Sequence, residues 1–449
     1  MLYRRLLERD RNDCPIQVGI IGAGTFGTQI ISRICRAPGM RIAAVAELNL
    51  DRARSAFVAG GVTAAELREA NGVADINRAI ESRAPVLTRD VEVLVASNVD
   101  VVIEATGNPE AGTRHAYAAI GAGKHVVMVT VEADVLVGPW LRRFADQRGV
   151  IYTMAYGDEP ALAVELCDWA RALGMQVVAA GKGTRFIPSF RYAVPDDVPR
   201  LYGFTGSDFN AKVFCSFLDG TKHAIEMAAL ANAAELAVDV PGMHFEAIDL
   251  RDICDRLCLQ EAGGILQREG VVEAISAMRA DETWMERHLR GGVYAVVRAE
   301  PQAVESLRSY GEIIGMQIGK RSGHALIYRP QHFVGHEVPI GVARLMLDGQ
   351  PAGQPQGLFV DVIAAAKRPL RAGTVLDGEG GYTVYGLCEN ADISRAERLV
   401  PMALTQNCVL RRDIPCDGRI HYDDVEVPDS FARELRQRQD REFVTPFAA

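Results

Sequence analysis

The sequence predicts an α/β protein with a doubly wound parallel sheet of the Rossmann type, an α+β substrate domain and a small β-rich C-terminal domain. The first observation is the apolar run 16–21, which ends in a Gly-x-Gly-x-x-Gly pattern followed by a helical pattern of isoleucines. The second is the alternation of apolar strands with helices up to about residue 154. The third is the change beyond residue 357 to short strand-like segments separated by glycine turns.

The glycine pattern predicts a dinucleotide-binding loop. Gly22 permits a tight turn, Gly24 lets the backbone approach a pyrophosphate, and Gly27 lets the following helix pack closely on the strand. The second strand, 41–46, ends at Glu47, where a carboxylate can bind the adenosine ribose hydroxyls. Small residues also follow the strand 99–105, at the edge of the sheet where ligands bind. The predicted cofactor-binding residues are Gly22, Gly24, Thr25, Phe26, Gly27, Glu47, Thr106 and Gly107.

Length and composition exclude several classes of protein. The 449 residues suffice for two or three domains, and their charged fraction of 24% is ordinary for a globular protein. The net charge is −9 without a long basic block, so we expect no nucleic-acid partner. No apolar run is long enough to span a bilayer, and the charged N-terminus is unlike a signal peptide. We therefore expect a cytoplasmic protein that does not bind membranes.

The cysteines and histidines indicate no metal centre by themselves. Nine cysteines are scattered without a Cys-x-x-Cys pair, which predicts neither a disulfide framework nor a structural zinc site. Cys254 and Cys258 are one helical turn apart, and we interpret them as buried apolar thiols. The histidines beyond residue 220 that we considered for the site, and interpret as structural, are His223, His324, His332 and His336.

Changes of pattern along the chain predict its domain organisation. We expect a dinucleotide-binding domain over 1–175, a substrate and oligomerisation domain over 176–348 whose last helix returns to the first domain, a β-rich domain over 357–430, and a charged surface helix and tail over 431–449. The Pro- and Gly-rich run 348–357 is the predicted linker. Two segments of the third domain, 367–376 and 411–420, resemble each other and predict an internal pseudo-repeat. We expect a homodimer or homotetramer.

Hydride transfer to a carbonyl needs a proton donor and a group that stabilises the developing charge. Asp219 and Lys222 lie three residues apart at the start of a predicted helix and can share one face of it. Asp208 and Lys212 form a rival pair four residues apart. Lys182 lies between two glycines after a strand and is interpreted as a ligand of a substrate anion or carbonyl. Further cations that can assist it are Arg185 and Arg191.

Four carboxylates are predicted to lie near one edge of the sheet: Glu132, Asp134, Asp158 and Glu159. Carboxylate oxygens are the ligands that Mg²⁺ and Mn²⁺ prefer, so these residues are candidate metal ligands. The alternative is that some of them cap helices, as Asp158 before Pro160 is suited to do.

Several stretches resemble the homoserine-dehydrogenase-like family of nicotinamide oxidoreductases, especially its branch that includes the second type of 1-deoxy-D-xylulose 5-phosphate reductoisomerase. The stretches that carry the resemblance are 19–27, 103–107, 131–134, Gly-Asp-Glu-Pro at 157–160, 180–183 and Asp-Gly-Thr-Lys at 219–222. The resemblance implies that Asp219 and Lys222 orient the substrate and serve its carbonyl oxygen. The tail from about 360 to 427 resembles the antifreeze-like (SAF) domain found at the end of sialic acid synthases.

These observations predict an NAD(P)-dependent oxidoreductase acting on a CH–OH group of a small hydroxy or oxo substrate. A reductoisomerase-type reaction and a non-catalytic NAD(P) sensor remain the alternatives. Reductoisomerases of the resembling branch end the second strand in arginines, whereas this chain has Glu47, which repels the 2′-phosphate of NADP. We therefore expect NAD to be preferred to NADP, although Arg52 and Arg54 can offset part of that repulsion.

Overall fold

The structure is a computed structural model that describes residues 1–204, 209–314 and 316–443. Up to residue 154 its helices and strands are α1 (Leu2–Arg11), β1 (Ile16–Ile21), α2 (Thr25–Ile34), β2 (Met40–Ala46), α3 (Leu50–Ala59), β3 (Arg68–Glu69), α4 (Val73–Ser82), β4 (Val86–Thr88), α5 (Val91–Val95), β5 (Val101–Glu104), α6 (Pro109–Gly121), β6 (His125–Met128), α7 (Val131–Gln147) and β7 (Tyr152–Met154).

From there to residue 348 they are α8 (Glu159–Ala172), β8 (Gln176–Thr184), α9 (Val198–Tyr202), α10 (Ala211–Leu218), α11 (Thr221–Ala234), β9 (Ala237–Val238), α12 (Ile253–Arg256), β10 (Val271–Ser276), β11 (Val293–Arg298), α13 (Pro301–Ile314), β12 (Ala325–Arg329) and α14 (Val338–Asp348). The remainder contains β13 (Val360–Ala366), β14 (Val384–Asn390), α15 (Ala391–Ala396), β15 (Val409–Leu410), β16 (Val425–Glu426) and α16 (Phe431–Glu442).

The chain forms two compact units. Of the described residues, the first unit comprises Met1–Ala161, Phe333–Gln354 and 434–443, and the second lies within Leu162–His332 and Pro355–Arg433. The strands β13 to β16 of the tail therefore belong to the second unit, together with the residues that follow the dinucleotide-binding region. The four domains of the sequence analysis stay a prediction.

The first unit contains the predicted doubly wound sheet, with seven strands in the order β3-β4-β2-β1-β5-β6-β7. Every neighbouring pair is parallel, which confirms the predicted fold class. The sequence analysis missed β3 and β4, because these strands are only two and three residues long and carry too little apolar pattern to detect. Helix α14 belongs to this unit, since its Val342 is fully buried in the same core as Ile30 and Ile34 of α2.

The second unit contains a mixed sheet of five strands in the order β12-β11-β8-β10-β9. Its central strand β8 is parallel to β10 and antiparallel to β11. The sequence analysis predicted β8, β11 and β12 but not β10, whose six residues are all buried and therefore show no alternation of polar and apolar side chains. Helix α11 packs on β8 and β10 and has the bounds that its sequence pattern predicts.

The tail of the second unit is β-rich, as expected. Strands β13 and β14 form one antiparallel pair, and β15 and β16 form another. The two resembling segments, 367–376 and 411–420, lie against each other: Leu370 and Ile414 exchange two backbone hydrogen bonds of 2.8 Å. The pseudo-repeat therefore corresponds to a pair of facing segments.

Helix α16 is half-buried, although its charged sequence predicts a surface helix. Its Gln439 is fully buried and contacts α7, where Pro139 interrupts the backbone hydrogen bonds of the helix. The Gln439 side chain accepts a hydrogen bond from the Trp140 amide and donates one to the Leu136 carbonyl, both at 3.1 Å. One glutamine thus satisfies two backbone groups near the proline.

No helix in the described ranges is long and apolar enough to cross a membrane.

We expect the substitution Gln439→Ala to lower the free energy of unfolding by about 1–3 kcal/mol, because it leaves the Trp140 amide and the Leu136 carbonyl buried without their partner. Thermal and urea denaturation measure this change. Gln437→Ala is the matched control, since Gln437 is exposed on the same helix. Equal stability of the two variants would contradict the role assigned to Gln439.

Candidate cofactor and active sites

The loop between β1 and α2 has the geometry of a dinucleotide-binding turn. Gly22 has φ +95°, and a Cβ atom there would lie 2.8 Å from the Ala105 carbonyl oxygen. A Cβ atom at Gly27 would lie 2.2 Å from the carbonyl oxygen of Gly22, so only glycine permits this packing. A Cβ atom at Gly24 would meet nothing within 4 Å. Open space beside Gly24 at the N-terminus of α2 is what a pyrophosphate needs, and Thr25 and Phe26 are exposed there.

Glu47 follows β2, next to that loop. Its carboxylate accepts hydrogen bonds from the Ala23 amide at 2.8 Å and from the Asn49 amide at 3.0 Å. These bonds hold the side chain against the glycine turn while it stays partly accessible. Of the two arginines considered for a 2′-phosphate, Arg54 forms an ion pair with Glu69, whereas Arg52 is exposed.

The loop after β5 lies beside the glycine turn, because β5 pairs with β1. Thr106 and Gly107 are exposed there, and Gly107 has φ +68°. The buried carboxylate of Glu104 holds this loop, since it accepts hydrogen bonds from the hydroxyls of Thr106 and Thr130 and lies 3.2 Å from His115 Nδ1. Strand order reverses between β1 and β5, and ligands of doubly wound sheets bind at such a point. The sequence analysis missed Glu104, although a carboxylate ending an apolar strand is a signal for it.

The predicted metal ligands of α7 have different surroundings from one another. Asp134 is buried, and its carboxylate accepts a hydrogen bond of 2.7 Å from the Tyr152 hydroxyl. Burial raises the pKa of Asp134 to about 7, against the smaller opposing effect of the Tyr152 hydrogen bond. Glu132 is also buried.

Asp158, the residue before α8, accepts a hydrogen bond of 3.1 Å from the Glu159 amide. This bond supports the alternative that Asp158 caps a helix.

In the second unit, a group of buried polar side chains joins β8 to α11. Lys182 of β8 forms an ion pair with Glu226 of α11, and both side chains are almost completely buried. His223 lies one turn before Glu226, at 3.9 Å from its carboxylate, and its Nε2 atom is 2.6 Å from the Thr184 hydroxyl. We call Lys182, Thr184, His223 and Glu226 the polar group of α11.

The glycines beside Lys182 have a packing role that the sequence analysis did not recognise. A Cβ atom at Gly181 would lie 1.8 Å from the Glu273 carbonyl oxygen, and one at Gly183 would lie 2.2 Å from that of Leu289. Both neighbouring segments therefore approach β8 closely on either side of Lys182. Buried ion pairs are often no more stable than apolar residues of the same size, so stability does not account for Lys182 and Glu226. Such pairs in a buried polar group are candidates for a functional site.

Arg185 and Arg191 lie near the end of β8 and contact aromatic rings. The Arg185 guanidinium is 5.4 Å from the centre of the Tyr202 ring, and that of Arg191 is 5.4 Å from the Tyr385 ring. Among the described residues, the Nε atoms of both arginines are buried without a hydrogen-bond partner. Two cations with unused donors are suited to an anionic ligand.

The remaining predicted catalytic residues occupy different places. Asp219 is buried, and its carboxylate is 2.8 Å from the Lys367 ammonium group. Lys222 is half-buried in the first turn of α11. Lys212 is on α10 and donates a hydrogen bond of 2.7 Å to the Asp377 carbonyl. Asp208 lies outside the described residues.

The contacts of Thr184, Glu226 and Lys367 were not predicted from the sequence, because the pattern of α11 is mainly apolar. His223 is buried and contacts the Thr184 hydroxyl, and its predicted structural role stays a prediction. The three-residue spacing of His223 and Glu226 on one helix face was the signal that could have indicated them.

Two family models match the chain. Residues 22–153 match the NAD binding domain of homoserine dehydrogenase, and residues 157–338 match the catalytic domain of oxidoreductase DRL. The chain is an NAD-binding oxidoreductase. The predicted relation to homoserine-dehydrogenase-like oxidoreductases is confirmed at this level, whereas the antifreeze-like assignment of the tail stays a prediction.

Solved structures similar to this chain are distant in sequence. The oxidoreductase yvaA of Bacillus subtilis is 13% identical, with a TM-score of 0.37, over 75% of this chain and 91% of that one. The 1-deoxy-D-xylulose 5-phosphate reductoisomerase of Zymomonas mobilis, in complex with NADPH, is 16% identical, with a TM-score of 0.33, over 47% and 57%. The WlbA dehydrogenase of Bordetella pertussis, in complex with NADH and UDP-GlcNAcA, is 11% identical, with a TM-score of 0.36, over 64% and 76%. No curated protein sequence matches the chain.

We expect the protein to bind NAD about tenfold or more tightly than NADP, because a 2′-phosphate beside the Glu47 carboxylate meets like charge. Glu47→Gln should narrow this difference, since it keeps a hydrogen-bond acceptor and removes the charge. Titrations with both cofactors give the four dissociation constants. Glu81→Gln is the control for loss of an exposed acidic side chain from the same unit, and tighter binding of NADP by the wild type would contradict the prediction.

We expect Asp134 to make the first unit less stable as pH rises from about 4 to 7. Its pKa of about 7 in the folded protein lies above the usual aspartate value of 3.8, so the folded state binds the proton more tightly and loses this advantage as the group ionises. Asp134→Asn should therefore show a smaller loss of unfolding free energy between pH 5 and pH 8 than the wild type. Asp146→Asn, at an exposed site of the same helix, is the control. Equal pH dependence in wild type and Asp134→Asn would refute the assignment.

Proposed function

We propose that this protein transfers hydride between a nicotinamide cofactor and a small hydroxy or oxo compound that carries an anionic group, with the assistance of a divalent cation. The observation that carries the proposal is the buried ion pair of Lys182 and Glu226, which lies within the segment that matches an oxidoreductase catalytic domain. The glycine turn and Glu47 fit the nicotinamide dinucleotide, which supplies or accepts the hydride when it is bound.

Lys182 is the proposed proton donor to the substrate oxygen. When a carbonyl carbon accepts hydride, its oxygen gains negative charge, and an ammonium group within hydrogen-bond reach stabilises that charge and can supply the proton. Glu226 keeps the Lys182 side chain in place before the substrate binds. His223 contacts the Thr184 hydroxyl and lies near Glu226. We therefore assign to His223 the return of a proton to Lys182 after Lys182 has protonated the substrate.

A divalent cation is the second part of the proposal. Asp158 and Glu159 are adjacent carboxylates of the first unit, and Glu159 is buried. Carboxylate oxygens suit Mg²⁺ or Mn²⁺, so Glu132, Asp158 and Glu159 are the proposed ligands of such an ion. The ion would polarise a substrate carbonyl. Asp134 is left out of this set, because its carboxylate already accepts a hydrogen bond from the Tyr152 hydroxyl.

Arg185 and Arg191 favour a substrate with a phosphate or carboxylate group. Their buried Nε donors provide positive charge near the same strand that carries Lys182. A metal-binding group together with these cations favours, as a second candidate, a reductoisomerase-type reaction on a phosphorylated hydroxyketone. In that reaction the ion would hold neighbouring hydroxyl and carbonyl oxygens of the substrate.

The test is turnover of hydroxy acids, hydroxyketones and sugar phosphates, followed by absorbance of the reduced nicotinamide with NAD and with NADP. We expect anionic compounds to be turned over, activity to disappear on chelation, and Mg²⁺ or Mn²⁺ to restore it. Activity that resists chelation would refute the metal but leave hydride transfer intact. Cofactor binding without turnover of any compound would refute the enzyme and favour a nucleotide sensor.

We expect Lys182→Met and Glu226→Gln to lower kcat by about 10²–10⁴-fold while the affinity for NAD stays unchanged, because Lys182 is the proposed proton donor, Glu226 holds it in place, and neither is proposed to bind the cofactor. Lys320→Met is the matched control, since Lys320 is exposed in the same unit. Thermal denaturation shows that the variants remain folded. Full kcat in a folded Lys182→Met variant would exclude Lys182 as the proton donor.

A further inference from the structure

The tail sheet contacts helix α11 along its length. Near the start of α11, the Gly386 amide of β14 donates a hydrogen bond of 2.8 Å to the Thr221 hydroxyl. A Cβ atom at Gly386 would lie 2.9 Å from the Thr221 side chain, so glycine allows this close approach. One turn along the helix, the Cys388 thiol is 3.1 Å from the Ala224 carbonyl. The tail therefore binds directly to the helix that carries His223 and Glu226.

The other end of α11 is held by Asn232, which is buried. Its side-chain oxygen accepts hydrogen bonds from the amides of Phe359 at 2.7 Å and Val360 at 2.9 Å. Its side-chain nitrogen donates to the Val360 carbonyl at 3.0 Å. The start of β13 thus fixes the end of α11, as β14 fixes its beginning.

A buried lysine of the tail completes the contact at the start of α11. The Lys367 ammonium group lies 2.8 Å from the Asp219 carboxylate and donates hydrogen bonds of 2.7 Å to the carbonyls of Ala193 and Gly381. Both charged side chains are buried. The other oxygen of Asp219 accepts a hydrogen bond of 2.8 Å from the amide of Thr221, the first residue of α11.

Asp219 also replaces a missing helix cap. Gly220, at the N-cap position, has φ +89° and no side chain to accept a hydrogen bond from the first turn. The Asp219 carboxylate does so instead, and Lys367 fixes the orientation of that carboxylate. Lys222 and His223 follow within the same turn, so the position of this cap sets their positions.

We propose that residues 355–433 position helix α11 for the reaction, and that Lys367 is the positioning residue that sets the start of this helix through Asp219. The kinetic part of the test rests on the proposed function. Lys367 itself contacts protein groups in each of the interactions described above, so it acts through α11 rather than on the substrate.

The first experiment compares Lys367→Met with Lys367→Arg and with the control Arg419→Met. Arg419 forms an ion pair with Glu389 in the same tail. We expect Lys367→Met to lower kcat about 10–100-fold, because a shift of about 1 Å in reacting groups has effects of this size. The dissociation constant for NAD should stay unchanged, Lys367→Arg should recover part of kcat, and Arg419→Met should keep wild-type kcat. Wild-type kcat in a folded Lys367→Met variant would overturn the proposal.

The double variant Lys367→Met/Asp219→Asn separates positioning from chemistry. Lys367→Met alone leaves the Asp219 carboxylate buried without its cation, which can prevent folding. A neutral asparagine side chain in the double variant removes that cost, and its carbonyl oxygen still accepts the hydrogen bond from Thr221. We therefore expect the double variant to fold and to exceed Lys367→Met in kcat. If Asp219→Asn alone abolishes turnover and the double variant is no better, Asp219 acts on the substrate and the proposal is wrong.

Amide hydrogen exchange of residues 221–234 needs no substrate and therefore tests positioning even if no turnover is found. We expect exchange in the first turn of α11 to rise at least about tenfold in Lys367→Met and to stay at the wild-type rate in Arg419→Met. Unchanged exchange in Lys367→Met would overturn the positioning role whatever the outcome for the proposed function. If the wild type turns over no compound and exchange still increases in Lys367→Met, the proposed function is refuted and the positioning role is kept.

Discussion

Much of the second unit depends on keeping Lys182 and Glu226 together away from water. Removing either partner would leave a buried charge, whose cost is large compared with the net stability of a domain. The surroundings meet this constraint in two ways. Gly181 and Gly183 let neighbouring segments approach the strand that carries Lys182, and the tail sheet covers the helix that carries Glu226. Close packing therefore holds the ion pair in position, and fixed polar groups of this kind are what electrostatic stabilisation of a transition state requires.

The first unit carries the predicted binding region for a negatively charged dinucleotide. The N-terminus of α2 supplies unpaired amides and the positive end of the helix dipole, and the glycines remove the side chains that would block access to them. Glu47 and Glu104 are anchored carboxylates on either side of this region. Their hydrogen bonds with Ala23 and with Thr106 and Thr130 hold the two loops that border the predicted cofactor site.

Particular residues show how far the site could be predicted. The glycine turn and Glu47 are local in sequence, because a strand, a turn and a helix follow one another within about thirty residues. Lys182 was singled out because a lysine between two glycines next to an apolar run is unusual, although the structure has it inside β8 rather than after the strand. Glu226 and Lys367 were not, because Glu226 is 44 residues from Lys182 and Lys367 is farther still from Asp219. The apolar pattern of α11 concealed its two inward polar residues.

The sequence by itself determined the class of the fold and the nature of the first unit. Apolar strands alternating with helices require a parallel sheet, and three spaced glycines permit the turn that a dinucleotide needs. It also determined the bounds of α11, because its apolar spacing and the preceding Asp-Gly are local signals. Only the tertiary structure decided what that helix does. Burial selects partners for charged groups across the whole chain, and so Asp219 pairs with Lys367 and Glu226 with Lys182, contacts that no spacing in the sequence records.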